Sequence, residues 1–392
     1  MTLRRRDLLL AAGAAGTFSV LGGAAREGRA ASQDASPMGA GPAEVLVGPA
    51  RRPDTALKPR RIAFGSCAKQ EKPQPIWEAV LATDPDLFVF LGDNVYGDTR
   101  DEAVLRRAYA RLAEQPGFRR LCANVPVVAI WDDHDFGEND AGGDYPMKAA
   151  SRRIFCDFWG EAAASPRRAR EGIHDALLFE HDGRRLQLLL PDLRYNRTPI
   201  RKLDLGGRPY KEWAKALEQA GREVPGPYER EPSAAATMLG EAQWQWLEAE
   251  LAKPAEVRVF GSSLQVVADF PGWEAWINYA EDHQRLLQAI RRQRADGLVC
   301  ISGDTHYAEL SRVSTHTPYP LWDLTSSGLT EVWPVTPPNA RRLGSILREP
   351  NFGLVEVDWE SSAPRLRLQA RGADGRVRIE QVIDTRELAV AR

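Results

Sequence analysis

The segment LFVFLGDNVY, residues 87–96, places a short apolar run directly before a glycine, a carboxylate and a phenol. Consecutive apolar residues without polar alternation are typical of a strand that is buried on both faces. In α/β proteins, ligands gather at the carboxyl ends of such strands. We therefore expect Asp93 and Tyr96 to lie at the edge of a buried sheet and to face a bound ligand or ion.

The same pattern recurs along the chain. Further short apolar runs, rich in Val, Ile, Leu and Phe, cover residues 61–64, 127–130, 186–190, 257–260 and 298–301. Segments with helical spacing lie between them, at residues 76–82, 102–113, 149–159, 243–251 and 284–294. Strands that alternate with helices indicate the α/β class. Towards the end of the chain, hairpin-like alternation appears instead at residues 352–359, 365–370 and 377–383.

Four of the predicted strand ends carry side chains that suit cations. Three are carboxylates and three are softer or more basic donors: Asp93, Asp133, Asp304, Cys67, Tyr96 and His306. Crowded carboxylates repel one another by several kcal/mol unless a cation lies between them. A mixed donor set suits a transition metal beside a second, harder ion. Two such ions can generate hydroxide and hold a phosphoryl group during its displacement.

Four blocks, in this order, resemble those of the PhoD-like (alkaline phosphatase D) family of the metallophosphoesterase superfamily. They are FGSC at residues 64–67, GDNVY at 92–96, WDDHD at 131–135 and SGDTH at 302–306. The resemblance covers residues 59–385. It implies an α/β fold, the four-layer αββα sandwich, with extra C-terminal β-strands. It also implies a hydrolase that cleaves phosphoric ester bonds with metal-activated hydroxide.

The resemblance implies a role for each candidate ligand. Asp93 bridges two metal positions, and Fe(3+) occupies the one that Cys67, Tyr96 and His306 complete; another divalent transition metal is the alternative. Ca(2+) occupies the second position, which is held by Asp133 and Asp304. His134 lies beside the leaving group as an acid or as a stabiliser of charge.

Four further residues are candidates for binding substrate or supporting the ligands. Asp132 adjoins Asp133 and is hard to separate from it as a ligand, so one of the two only orients His134. Asn139 is an oxygen ligand or a phosphate contact, and Arg194 meets either phosphate or an internal carboxylate. Gln265 ends a block, residues 261–265, where the wider superfamily carries a metal-binding histidine; without that histidine the second site is richer in oxygen, which favours calcium. Trp273 and Trp276 follow this block, and one or the other is a candidate wall of the cleft.

Composition narrows the remaining function classes. The formal net charge of −2 indicates no general surface for nucleic acid. No Gly-x-Ser-x-Gly sequence is present, which argues against a serine hydrolase. The resemblance implies a small-molecule or lipid phosphate ester as the substrate, and the residues do not separate a monoesterase from a phosphodiesterase or phospholipase D-type enzyme. A metal-stabilised binding protein without catalysis is the alternative from another class.

The first residues predict export. Arg4, Arg5 and Arg6 precede a weakly apolar stretch that is rich in glycine and alanine, which resembles a twin-arginine signal peptide. The twin-arginine translocase is then a partner, no stable membrane span is retained, and the mature chain is periplasmic or extracellular. We expect a signal peptide at residues 1–31, a linker at 32–58 and a catalytic domain at 59–392. Residues 198–237 within that domain are polar and rich in Pro and Gly, and they predict an excursion over the surface.

Overall fold

The apolar runs form the central strands of two β-sheets. A computed structural model describes residues 47–230, 233 and 235–391; the predicted signal peptide and the first part of the predicted linker lie outside these residues. In the described residues the first sheet has six strands, in the spatial order β13 (Val377–Asp384), β12 (Arg365–Gly372), β11 (Asn351–Asp358), β1 (Arg61–Gly65), β2 (Leu87–Leu91) and β3 (Val127–Ile130). The second has seven, in the order β10 (Arg342–Leu347), β8 (Ala308–Val313), β9 (Leu321–Ser326), β7 (Leu298–Ser302), β6 (Val257–Ser262), β5 (Arg184–Leu190) and β4 (Asp175–His181).

The centre of each sheet is parallel. Strands β1, β2 and β3 run parallel in the first sheet, and β5, β6, β7 and β9 run parallel in the second. Every residue of β2, β3, β6 and β7 is buried, as expected for strands that are covered on both faces. The predicted C-terminal strands β11, β12 and β13 pair antiparallel and extend the first sheet beside β1.

Helices cover the outer faces of both sheets. The described helices are α1 (Ile76–Leu81), α2 (Glu102–Glu114), α3 (Pro116–Asn124), α4 (Asp133–Phe136), α5 (Lys148–Phe158), α6 (Pro166–Ala169), α7 (Tyr210–Gln219), α8 (Glu241–Leu251) and α9 (Ala280–Arg292). Trp77 of α1 and Phe118 of α3 pack against Phe90 of β2, with ring centroids 5.6 and 5.8 Å away. On the other side, Gln187 of β5 donates to the Glu250 carbonyl of α8 at 2.8 Å. The mixed α/β architecture with two large sheets confirms the predicted four-layer αββα sandwich.

Segments outside the two sheets are also anchored. The last part of the predicted linker contacts the sandwich, since Gly48 N donates to the Phe158 carbonyl at 2.8 Å. The predicted excursion contains α7 and joins the body where Tyr228 N donates to the Gly272 carbonyl at 2.9 Å. All four cysteines are buried and free. Within the described part of the chain, no helix has the length and apolar character needed to cross a membrane.

Candidate metal centre

The candidate ligands converge where the carboxyl ends of the parallel strands meet. Asp93 follows β2, Asp133 follows β3, and Asp304 follows β7 of the other sheet. The two sheets approach each other closely at this point. A Cβ atom added to Gly303 would lie 2.7 Å from Ser66 Oγ and 2.8 Å from the Leu91 carbonyl oxygen, so only glycine fits there. The close approach brings donors of both sheets into one cluster.

One group of donors combines sulfur, nitrogen and oxygen. The ligand atoms of Cys67, Asp93 and His306 all lie within 4.8 Å of one another. The Cys67 thiol lies 3.3 Å from Asp93 Oδ2. Tyr96 joins the group because its hydroxyl lies 3.1 Å from His306 Nε2. The structure therefore brings together the four residues that the resemblance assigns to one metal position.

A second group is made of carboxylates. Ligand oxygens of Asp132, Asp133 and Asp304 lie within 4.8 Å of one another. Asp93, Asp133 and His134 form another set within the same distance, so the two groups share a border. Asp93 thus lies next to Cys67 and His306 of the first group and also next to Asp133 of the second. Asp132 and Asp133 both reach the carboxylate group.

Unpaired buried oxygens show that these residues fit cations. Asp93 Oδ1, Asp132 Oδ2 and Asp133 Oδ1 are buried and have no hydrogen-bond partner. A buried acceptor without a partner costs about 1–3 kcal/mol, and more when it is charged. Hard cations bind such carboxylate oxygens, and the three oxygens lie in adjoining groups. The cluster therefore fits bound metal.

The pKa shifts within the cluster also agree with metal binding. Burial, together with neighbouring carboxylates, raises the pKa of Asp93 and of Asp304 well above the usual range. Burial and Asp93 likewise raise the pKa of Cys67, and burial lowers the pKa of His306 to about 4. Without a cation, ionisation of Asp93, Asp304 and Cys67 is thus disfavoured. A bound cation would favour their ionised forms, which links metal binding to proton release.

His134 is held as an imidazolium. Burial alone would disfavour its charge, but Asp133 and Asp93, with Asp98, raise its pKa to about 11. Its Nδ1 lies 2.7 Å from Asp98 Oδ1, and its ring lies 4.4 Å from the ring of Tyr96. The Nδ1–H bond to Asp98 leaves Nε2 for another partner. Sequence reasoning missed Asp98, although the acidic residue follows the GDNVY block by only one glycine.

Arg194 meets internal carboxylates. Its side chain is fully buried, its Nε donates to Asp132 Oδ1 at 2.7 Å, and its two terminal nitrogens donate to Glu274 at 3.0 and 2.9 Å. Ser263 Oγ donates to the same Asp132 oxygen at 2.7 Å. Arg197 forms a further ion pair with Glu274. Asp132 is thus fixed on one oxygen by Arg194 and Ser263, and its other oxygen is the unpaired one.

The two remaining candidates lie in different places. Asn139 lines the cavity that opens over the cluster, together with Asp133 and His134. Gln265 is buried, and its amide donates to Glu309 Oε1 at 2.7 Å and to Thr325 Oγ1 at 3.0 Å. The described residues that line the cavity do not include Gln265. The position of Gln265 is therefore that of a residue packed behind the site.

Strained backbone accompanies the cluster. Five residues of the site have a positive φ, between 45° and 69°: Cys67, Asp93, Asp98, Asp304 and His306. Such left-handed conformations cost about 1–3 kcal/mol each for non-glycine residues and occur at functional sites. Gly92 has a φ of 98°, and a Cβ atom there would lie 2.5 Å from the Cβ of Asp132. The left-handed residues turn the chain sharply at the strand ends, so that neighbouring side chains reach the same cluster.

The cavity over the cluster has a volume of about 180 Å³. Its floor includes Asp133, Asp304 and His306, and its walls include Trp273 and Trp333. Both tryptophans are half-buried. The predicted excursion reaches the same cavity through Tyr228. The metal cluster is therefore accessible to a small molecule from one side.

Comparisons with known proteins agree with this geometry. A family model for PhoD-like phosphatases matches residues 62–380. A solved PhoD structure is similar with a TM-score of 0.61 at 15% identity, over 88% of this chain and 73% of that chain. A purple acid phosphatase from yellow lupin (Lupinus luteus) seeds is similar with a TM-score of 0.53 at 10% identity, over 84% and 54%. GAP50, the anchor in the inner membrane complex of Plasmodium, has a TM-score of 0.51 at 11% identity, over 85% and 90%.

No curated protein sequence matches the chain. At such low identities the solved structures show the fold alone, which is that of the metallophosphoesterases. The family model, in contrast, spans most of the chain and covers every candidate ligand. The acidic and histidine groups agree with metal binding. The chain therefore belongs to the PhoD-like phosphatase family and is a hydrolase of phosphoric esters.

Proposed function

We propose that the chain is an exported alkaline phosphatase D-type enzyme that uses two different cations, Fe(3+) and Ca(2+). The observation that best supports two cations is a set of buried oxygens without a hydrogen bond, on Asp93, Asp132 and Asp133, of which the Asp133 oxygen lies 3.8 Å from Arg194 Nη2. They belong to adjoining donor groups of unlike chemistry, one with a thiol and an imidazole and one with carboxylates only. Unlike donor groups favour unlike ions.

Iron fits the first group. Cys67, Tyr96 and His306 would hold it, with Asp93 shared. Burial raises the pKa of both the thiol and the phenol well above their usual ranges, so a strongly charged ion is needed to ionise them. Another divalent transition metal is the alternative at this position.

Calcium fits the second group, because Asp133, Asp304 and the shared Asp93 offer only oxygens. Asp132 adds another oxygen of the same kind. When bound, the two cations would supply positive charge to the phosphoryl oxygens and acidity to an attacking water. The remaining steps depend on side chains of the chain itself.

His134 is the proposed acid. Its Nδ1–H bond to Asp98 fixes the ring so that Nε2–H can donate to the leaving oxygen, and the Asp98 carboxylate favours the protonated ring. Asn139, on the cavity wall, would donate its amide to a phosphoryl oxygen. Arg194 acts through others: it holds Asp132 and Glu274 in position from behind. Gln265 would support the site from the second sheet without touching substrate.

A substrate panel tests the reaction. The purified, metal-loaded chain is given a phosphate monoester and the corresponding diester. Hydrolysis of the monoester, and its loss in His134→Asn, is the expected result. Turnover of the diester alone would instead support a phosphodiesterase or phospholipase D-type activity at the same site. Bound metal without turnover of either ester would support the non-catalytic binding protein.

The ferric assignment has a test of its own. Phenolate and thiolate ligands give ferric iron a visible charge-transfer band, so the concentrated protein should be coloured. Tyr96→Phe should shift or bleach that band and leave the fold intact, because it removes one oxygen and little volume. Cys67→Ala should lower the iron content. A colourless, fully active protein that contains only zinc or manganese would refute iron and leave the phosphoesterase proposal in place.

Export and domain limits complete the proposal. Residues 1–31 would be a twin-arginine signal peptide, 32–58 a linker and 59–392 the catalytic domain in the periplasm or outside the cell. The support is the sequence around Arg5 and Arg6, which lies outside the described residues. Export in the folded state would allow the chain to take up its metals before it crosses the membrane.

A further inference from the structure

An aromatic wall stands on one side of the cavity. Trp273 and Trp333 line the cavity, and their ring centroids lie 5.8 Å apart in an edge-to-face arrangement. Tyr228 lines it as well and lies 6.4 Å from Trp273. Both indoles are half-buried, so part of each faces the cavity instead of the core. Edge-to-face rings beside a polar floor offer a flat group a place to pack.

The wall is held beside the metal cluster. Trp333 N donates to the His306 carbonyl at 2.9 Å, which ties one indole to a proposed ligand. Tyr210 of α7 packs against Trp273 at 5.4 Å. Tyr228 N donates to the Gly272 carbonyl, which immediately precedes Trp273. Backbone bonds and ring contacts thus fix both indoles before any ligand arrives, which lowers the entropy cost of binding.

Most of the charged side chains around the cavity are carboxylates. The described residues that line it include no lysine and no arginine, and the imidazolium of His134, the proposed acid, is the cationic side chain among them. Two carboxylates that line it are already paired, since Glu274 binds Arg194 and Asp140 accepts from the Tyr228 hydroxyl. The proposed cations would neutralise one phosphoryl group, and His134 would donate to the leaving oxygen. A second anionic group on the substrate would then meet carboxylates and no further cationic side chain.

We propose that the cavity selects phosphate esters whose alcohol carries one flat, uncharged aromatic ring, which packs on Trp273 and Trp333. Esters with a second anionic group are excluded. This inference rests on the proposed function, because it names the substrate class of the same site. The physical basis is burial of apolar ring area against two indoles, in a cavity whose one cationic side chain among the described lining residues, His134, is engaged by the leaving oxygen.

Three alkyl phosphates of similar intrinsic reactivity test the selection: ethyl phosphate, benzyl phosphate and carboxybenzyl phosphate. Contacts between a ring and two indoles stabilise binding beyond the effect of buried apolar area. Benzyl phosphate should therefore have a kcat/KM at least about tenfold above that of ethyl phosphate. The added carboxylate should remove most of that gain. Equal values for ethyl and benzyl phosphate would overturn the inference. Faster turnover of phosphocholine than of benzyl phosphate would also overturn it, because a cation would then be the preferred group.

Variants identify the wall as the cause. Trp333→Ala and Trp273→Ala should each lower kcat/KM for benzyl phosphate by at least about fivefold more than kcat/KM for ethyl phosphate. Trp246→Ala is the matched control, since this half-buried indole lies on α8 outside the cavity lining. If Trp273→Ala does not fold, Trp273→Phe takes its place. This variant keeps a ring and should retain part of the preference for benzyl phosphate. An equal loss on both esters would show a structural role and contradict the proposal.

Binding separates this inference from the proposed function. Calorimetry with benzylphosphonate and ethylphosphonate, which cannot be hydrolysed as esters, measures recognition alone. Tighter binding of benzylphosphonate by a chain that hydrolyses none of the esters would support the aromatic wall and refute the hydrolytic function. Hydrolysis of all esters, with equal binding of both phosphonates, would refute the wall and leave the function standing.

Discussion

Asp93 and Asp323 are both buried carboxylates, yet the structure predicts opposite effects when each is replaced by asparagine. Asp323 is fully bonded: its Oδ2 accepts from the backbone N–H groups of Val266 and Val267 at 2.8 and 3.0 Å, and its Oδ1 accepts from Ser302 at 2.8 Å. Asp93 Oδ1 has no partner. Asp323 therefore stabilises the fold, whereas Asp93 has an oxygen free to bind a ligand.

The magnitudes follow from those bonds. Hydrogen bonds to a charged acceptor contribute about 1.5–3 kcal/mol each, and neutral ones about 0.5–1.5 kcal/mol. Asp323→Asn keeps an oxygen for the two N–H groups but places an amide NH2 group where Oδ1 accepts from Ser302, which should lower the free energy of unfolding by about 1 kcal/mol. Asp93→Asn loses no bond at Oδ1 and relieves repulsion with Asp132 and Asp133. Its cation-free stability should therefore be unchanged or higher.

Catalysis should respond in the reverse order. Asp93→Asn removes the shared ligand, so kcat/KM should fall at least about a hundredfold, the scale of one lost group that stabilises charge. Asp323→Asn should retain both cations and a kcat/KM near that of the parent. The assays are elemental analysis, thermal unfolding of the cation-free chain and steady-state kinetics on one monoester. Full metal content and activity in Asp93→Asn would refute the reasoning, as would equal metal loss in both variants.

Three further predictions concern other parts of the chain. Asp98→Asn removes a carboxylate that raises the pKa of His134; because the acid must be protonated, the alkaline fall of the kcat/KM–pH profile should move to lower pH, and an unchanged profile would count against the pair. Gly92→Ala forces a side chain into a φ of 98°, so thermal unfolding should show a loss of at least about 1–3 kcal/mol; no loss would contradict the strained turn. Replacing Arg5 and Arg6 together with lysine should retain the chain in the cytoplasm, and normal export in cell fractionation would end the twin-arginine hypothesis.

The ends of the central strands could be predicted because their pattern is local. An apolar run followed by glycine and a carboxylate predicts a buried strand with a ligand at its end, and this held for β2 with Asp93 and for β7 with Asp304. Parallel pairing then brings such ends to one edge without further information. The convergence of Cys67, Asp93, Tyr96 and His306 follows from this simple geometry.

Pairings between distant segments could not be predicted in this way. The contact between Asp98 and His134, and that between Arg194 and Glu274, depend on loops that meet only in the folded chain. Strands β4, β8, β9 and β10 were also missed. Their residues are more polar or lie at sheet edges, and β9 enters the second sheet between β7 and β8, out of chain order. The place of Trp333 in the cavity could not be predicted either, because it depends on a backbone bond to the distant residue His306.

The central claim is that catalysis requires a removable hard cation beside a tightly held one. The direct measurement is kcat/KM on one monoester as a calcium chelator is added and calcium is then restored, with iron and calcium counted in each sample. The account predicts that chelation removes calcium, leaves iron in place and abolishes turnover, and that calcium restores it. Undiminished turnover by a chain that contains neither cation would contradict the account.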